Sequence, residues 1–170
     1  PNVFAFYAIC DQPIRPLVDR VAVQVRALGY KVAVIDKTFH GTSPEAFTRI
    51  EAENDYVLHV AECHESHWRL LSARQVDHVF LMADAERPPD AIASGWEKSL
   101  LHRAPDLVLM YPDSLKPHIH GRTKAWLNII EPTRWFHTHP DNVNDAARLA
   151  RIITGHSVGV VFSGGGARAF

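Results

Sequence analysis

The residues of this 170-residue chain whose types and spacing could do chemistry lie at its far end, in Ser-Val-Gly-Val-Val-Phe-Ser-Gly-Gly-Gly-Ala-Arg-Ala-Phe, Ser157 to Phe170. An apolar β-branched run, Val158 to Phe162, leads into Gly164, Gly165 and Gly166, followed by Ala167 and Arg168. Consecutive glycines let bare backbone approach a ligand, and N–H groups at the start of a helix stabilise negative charge without reorganising. The chemistry that fits is the binding of an anion or of negative charge developing on a ligand oxygen. A tight strand-to-helix turn with no ligand and a phosphate seat are competing uses of the same geometry. The dinucleotide fingerprint Gly-x-Gly-x-x-Gly is not matched, because its third glycine would fall on Ala169.

Other constellations carry less. Gly155-His156-Ser157-Val158-Gly159 matches Gly-x-Ser-x-Gly literally, but it follows a helical pattern and leads into a strand. A nucleophile elbow needs the reverse order, so Ser157 is read as non-catalytic. Among eleven histidines, Cys63 with His64 and His67, His118 with His120, and His137 with His139 are the groupings worth testing for metal. None has a zinc-site spacing, so they are read as loop and helix histidines and no metal ligand is assigned. The turn Cys10 to Pro16 has no glycine and contains two prolines, which excludes a phosphate-binding P-loop there. Asp36, Glu62 and Asp84 fall near strand C-termini, where open α/β sheets bind ligands, but acids there more simply cap turns and helices.

The elements that must position these residues alternate. Val3–Ile9, Lys31–Ile35, Tyr56–Ala61, Val76–Met82 and Leu107–Tyr111 are short buried strands. Helical patterns lie between them: Leu17, Val21, Val25 and Leu28 up to Gly29; Ser43 to Asn54, with Ser43 as N-cap before Pro44 and Glu45; Glu65 to Gln75, with Trp68, Leu71 and Leu70 inward; and Ala91 to Arg103. A short helix around Thr123–Asn128 and an edge strand at Trp135–Thr138 follow. Asn142 to Thr154 is then a helix with Val143, Ala147, Ala150 and Ile153 as its stripe and Gly155 as its stop. This predicts a three-layer, Rossmann-like α/β fold, a mostly parallel sheet with helices on both faces. Gly155 separates a domain of residues 1–155 from a strand and glycine loop, 156–170, that belong to the next. Trp68, Trp96, Trp126 and Trp135 are read as core or interface anchors.

Composition sets outer bounds. A net charge of -1 and a pI of about 7.0 give no bulk attraction to nucleic acid. Two cysteines without CxxC spacing fit a reducing compartment, and no apolar run approaches the ~18 residues of a membrane span. Starting at Pro1 and stopping just after the glycines, the chain is expected to be a piece of a longer protein.

The stretch "SVGVVFSGGGARAF" resembles the opening strand and oxyanion loop of patatin-like phospholipases, and "DAARLARIITGHSVGVVFSGGGAR" is similar to the approach to that loop in the neuropathy target esterase group. Phe4 to His139, including "DYVLHVAE" and "VDHVFLMADA", is similar to that group's middle region. Ala169 stands where the family usually has glycine. The resemblance implies a parent serine esterase or (lyso)phospholipase acting on lipid esters, in the cytoplasm or peripherally at a membrane, with a cyclic-nucleotide-binding module upstream. It implies that Gly164, Gly165, Gly166 and Arg168 form the oxyanion loop. The family's Ser-Asp dyad is expected beyond Phe170, so no catalytic residue and no cofactor site are assigned within the chain. The alternative is a non-catalytic regulatory or ligand-sensing module; an independent nucleotide-binding protein ranks below both.

Overall fold

The computed structural model describes residues 2–39, 43–89, 104–112 and 121–159. The helix expected over Ala91–Arg103, Trp96, His118, His120, most of the strand Val158–Phe162 and the loop Gly164, Gly165, Gly166 and Arg168 lie outside the described residues. In chain order the elements are β1 (Val3–Ala8), α1 (Arg15–Ala27), β2 (Val32–Ile35), α2 (Pro44–Glu53), β3 (Tyr56–Ala61), α3 (Ser66–Ser72), β4 (His78–Asp84), β5 (Asp106–Met110), α4 (Thr123–Ile130), β6 (Trp135–Thr138) and α5 (Val143–Ile153). The six strands form one sheet in the order β2-β3-β1-β4-β5-β6, and every neighbouring pair is parallel. The fold is therefore α/β and Rossmann-like, with β3 inserted between β1 and β2.

Strand side chains alternate between two cores because consecutive Cβ atoms point to opposite faces. Ala5 and Tyr7 of β1, Leu81 and Ala83 of β4, and Leu107 and Leu109 of β5 face α2, α3 and α4 through Phe47, Trp68, Trp126 and Ile130. Phe6, Ala8, Phe80, Met82, Val108 and Met110 face α1 and α5 through Leu17, Val21, Val25, Ala146, Leu149 and Ile153. Burial on both faces is why the strands read as unbroken apolar runs. None of the described helices is long and apolar enough to cross a membrane.

Local signals behave as their chemistry dictates. Ser43 Oγ accepts from Ala46 N at 3.3 Å at the start of α2, and Asn142 Oδ1 accepts from Asn144 N at 2.8 Å before α5. Gly29 and Gly155 end their helices at φ +94° and +73°, where a Cβ would strain the backbone.

Three expectations shift. The α5 stripe is Ala146, Leu149, Ala150 and Ile153, while Val143 is 58% exposed, because the i, i+3, i+4, i+7 set containing Leu149 offers the larger apolar face to α1. Leu70 is 47% exposed, since the short α3 turns Trp68 inward and Leu71 only partly. β4 begins two residues late, because Asp77 is occupied with β1: its N–H donates to Val3 O, and its carboxylate accepts from Val3 N at 3.1 Å. Trp68 and Trp126 are core residues, whereas Trp135 on the edge strand β6 is half exposed.

Candidate functional site

The adjacent strands β1 and β3 send their following helices to opposite faces, α1 to one and α3 to the other. The crevice between their C-terminal ends is where an open α/β sheet accommodates a ligand. The segment between β1 and α1 and the segment between β3 and α3 leave the sheet at that edge.

The first turn enters α1 through Ile14, which has no side chain able to cap the helix. Glu62, at the end of β3, supplies the cap. Its Oε1 and Oε2 each accept from Ile14 N at 3.1 Å, and Oε1 accepts from Arg15 N at 3.0 Å. A carboxylate thus occupies the position at the helix N-terminus where a nucleotide-binding protein places phosphate. The turn itself is braced from α3, where Arg69 Nη2 donates to Ala8 O at 2.9 Å and to Cys63 O at 3.2 Å. Glu65 Oε2 accepts from Glu62 N at 3.0 Å, which orients the Glu62 backbone. Replacing Glu62 by alanine is expected to lower stability by about 1–3 kcal/mol, because two helix N–H groups lose their acceptor. Urea unfolding measures this, and a loss no larger than that of a surface Glu53→Ala change would show that water replaces the carboxylate without penalty.

The other two acids at this edge are local caps, as their sequence context suggests. Asp36 Oδ1 accepts from Thr38 N at 2.9 Å and Thr38 Oγ1 at 2.6 Å, and its other oxygen pairs with the Arg15 guanidinium. Burial pushes the Asp36 carboxyl up, but the hydrogen bonds from Thr38 and the Arg15 charge outweigh it and hold the group below the ordinary carboxylate range. Asp84 Oδ1 accepts from Glu86 N at 2.8 Å.

The histidine groupings separate. His67 lies exposed on α3, while Cys63 and His64 share the turn before it. His137 on β6 and His139 just after it both meet the Tyr111 ring, edge-on at 5.7 Å and stacked at 5.5 Å. Thr123 Oγ1 lies 3.2 Å from His137 Nε2, and Asp145 Oδ2 lies 3.0 Å from His139 Nδ1, so both imidazoles are tied to neighbouring helices. Ser157 stands in irregular exposed backbone after α5.

A cavity of about 340 Å³ opens at the opposite, N-terminal edge of the sheet, lined by Asn2, Glu51, Asn54, Asp55 and Asp77 among others. Its acids tie strand ends together: Asp55 Oδ2 accepts from Lys31 N at 2.7 Å, and Asp77 holds Val3 N. Glu62 stands at the strand edge that the sequence predicts, and its partners lie 47 and 48 positions away. No local pattern encodes that pairing.

Comparison with known proteins adds to this geometry. Residues 31–141, more than half of the chain, match the family described as "Neuropathy Target Esterase family P-loop like domain". The match begins after the first turn, so Cys10–Pro16 lies outside it. An uncharacterized NTE family protein of Mycobacterium tuberculosis is 31% identical over 181 residues, which covers 99% of this chain and 28% of that protein. The neuropathy target esterase sws of Drosophila persimilis is 32% identical over 121 residues, covering 54% of this chain and 8% of that protein. The chain therefore spans just over a quarter of the mycobacterial relative.

Proposed function

Because the chain belongs to the neuropathy target esterase family, we propose that residues 1–155 are a non-catalytic α/β domain of a patatin-like serine esterase or (lyso)phospholipase and that residues 156–170 open its catalytic part. The observation that carries the non-catalytic reading is Glu62. A carboxylate from the protein itself sits on the Ile14 and Arg15 N–H groups, and the turn they close contains Pro13 and Pro16, which have no N–H to offer. The residues present do not fit a nucleotide phosphate, although the family description is of a P-loop-like domain. What remains of that architecture is the parallel sheet and its crevice, used as a scaffold.

In this reading Gly164, Gly165 and Gly166 present backbone N–H groups to the oxyanion of the attacked ester, and Arg168 braces the loop. The nucleophile and its acid partner belong to a segment following the chain. Lipid esters or phospholipids are the substrates of the whole protein, a cyclic-nucleotide-binding module precedes this domain, and the protein works in the cytoplasm at a membrane surface. What supports the reading is membership of the family and similarity to the NTE family protein over 99% of the chain.

The 170-residue chain alone should hydrolyse no p-nitrophenyl butyrate, and a version extended with the rest of the protein should. Turnover by the chain alone, abolished by Ser157→Ala, would falsify the assignment. In the extended protein Ser157→Ala should leave kcat unchanged.

A further inference from the structure

We propose that Asp11, Cys63 and His64 form a binding site for a thiophilic divalent cation of the zinc type, with one carboxylate oxygen, one thiolate sulfur and one imidazole nitrogen as ligands and the fourth position open. The three ligand atoms lie within 4.8 Å of one another. His64 Nε2 is 3.5 Å from Asp11 Oδ1. Mixed oxygen, sulfur and nitrogen donors at three positions, with a fourth left for water, suit tetrahedral zinc better than magnesium or calcium, which prefer oxygen alone.

The donors come from two turns, Asp11 after β1 and Cys63 with His64 after β3, and these turns are fastened to each other. Glu62 bridges to Ile14 and Arg15 on one side of the site, and Arg69 Nη2 holds the carbonyls of both Ala8 and Cys63 on the other. Two chain segments that meet only because β1 and β3 are neighbours are thereby kept at fixed separation, so little backbone ordering is left for the metal to impose. Asp11 and His64 are exposed, which leaves the site open to solvent and the fourth position accessible. On binding, the Cys63 thiol gives its proton to solvent and the sulfur bonds to the metal. Cys10 is close in sequence but is not a ligand: it is 7% exposed, and its Sγ lies 3.6 Å from Met82 O.

The test is titration of the 170-residue chain with Co²⁺, read by the thiolate-to-cobalt charge-transfer band, which the chain's many histidines cannot produce alone. One cobalt per chain should generate the band, and Zn²⁺ should displace it. Cys63→Ser should abolish the band, and Asp11→Asn or His64→Ala should each weaken binding by about tenfold or more, since losing a ligand costs at least what losing an outer-shell partner does. Cys10→Ser should leave band and affinity unchanged, and far-UV circular dichroism checks that each variant is folded. If Cys63→Ser does not fold, the two exposed-ligand variants decide alone. A wild-type chain giving no band at millimolar cobalt, a band that survives Cys63→Ser, or unchanged affinity in both Asp11→Asn and His64→Ala would overturn the site.

Discussion

Replacing His59 by phenylalanine should abolish most of the loss of stability that the protein suffers as the pH falls from 6.5 to 4. His59 lies on β3, between β1 and the edge strand β2, fully buried, with its ring stacked on Phe47 at 5.7 Å and on Trp68 at 5.8 Å. Neither ring nitrogen has a hydrogen-bond partner among the described residues. Burial alone pushes its pKa down from 6.5 to about 4. Below pH 6.5 the unfolded chain takes up a proton at this residue that the folded chain refuses, so stability is full above 6.5 and falls as the pH drops toward 4. The difference between those two values corresponds to a loss of about 3 kcal/mol at pH 4. Phenylalanine keeps the stacked ring and cannot charge. Urea unfolding of wild type and His59→Phe at pH 7 and pH 4.5 measures the effect, and parallel losses in both proteins would place the acid lability elsewhere.

The second large effect belongs to Asp106, at the start of β5, where the side chain is 0% exposed. Arg134 donates to it through Nε at 3.2 and 3.1 Å and through Nη2 at 2.5 Å, and His78 Nε2 lies 2.8 Å from the same Oδ2. Burial pushes the carboxyl up, but the hydrogen bonds and charges of His78 and Arg134 outweigh it and hold the group below 3.8. Its contribution is therefore present above pH 3.8 and is lost only as the pH falls further, a window distinct from that of His59. Asp106→Ala removes the acceptor of three N–H donors and leaves a cation beside the sheet. Breaking a buried pair costs about 3–5 kcal/mol. The lower end is expected, because Arg134 is 50% exposed and regains water. Arg134→Ala should cost less, since His78 remains bonded to the carboxylate. Thermal or urea unfolding that ranked Arg134→Ala as the more damaging change would contradict this account.

Neither residue is conspicuous in the sequence. His59 interrupts the apolar run Tyr56–Ala61, where a histidine facing solvent and one sealed between aromatic rings look alike. Asp106 reads as a residue capping the entry to a strand, and its partners are 28 positions away on both sides. The candidate site was legible in the same partial way. Cys63 and His64 are adjacent and invite a metal reading, but the third donor suggested by helical spacing, His67, points elsewhere, and Asp11 completes the cluster.

What the sequence by itself determined is what repeats along the chain at short range. Apolar runs specified strands buried on both faces, three- and four-residue spacing specified α1, and Ser43 with Pro44 and Gly155 marked helix ends, because each signal is a local rule of backbone geometry and hydrogen bonding. It also determined the family, through similarity spread along the whole chain. Only the tertiary structure decided that β3 lies beside β1. That one neighbour relation seats Glu62 on the N-terminus of α1 and brings Asp11 to Cys63 and His64. The burial of His59 between Phe47 and Trp68 likewise depends on α2 and α3 sharing the sheet face to which it points. Strand order is set by how long-range apolar faces are best covered, a property of the assembled layers that no short window of residues carries.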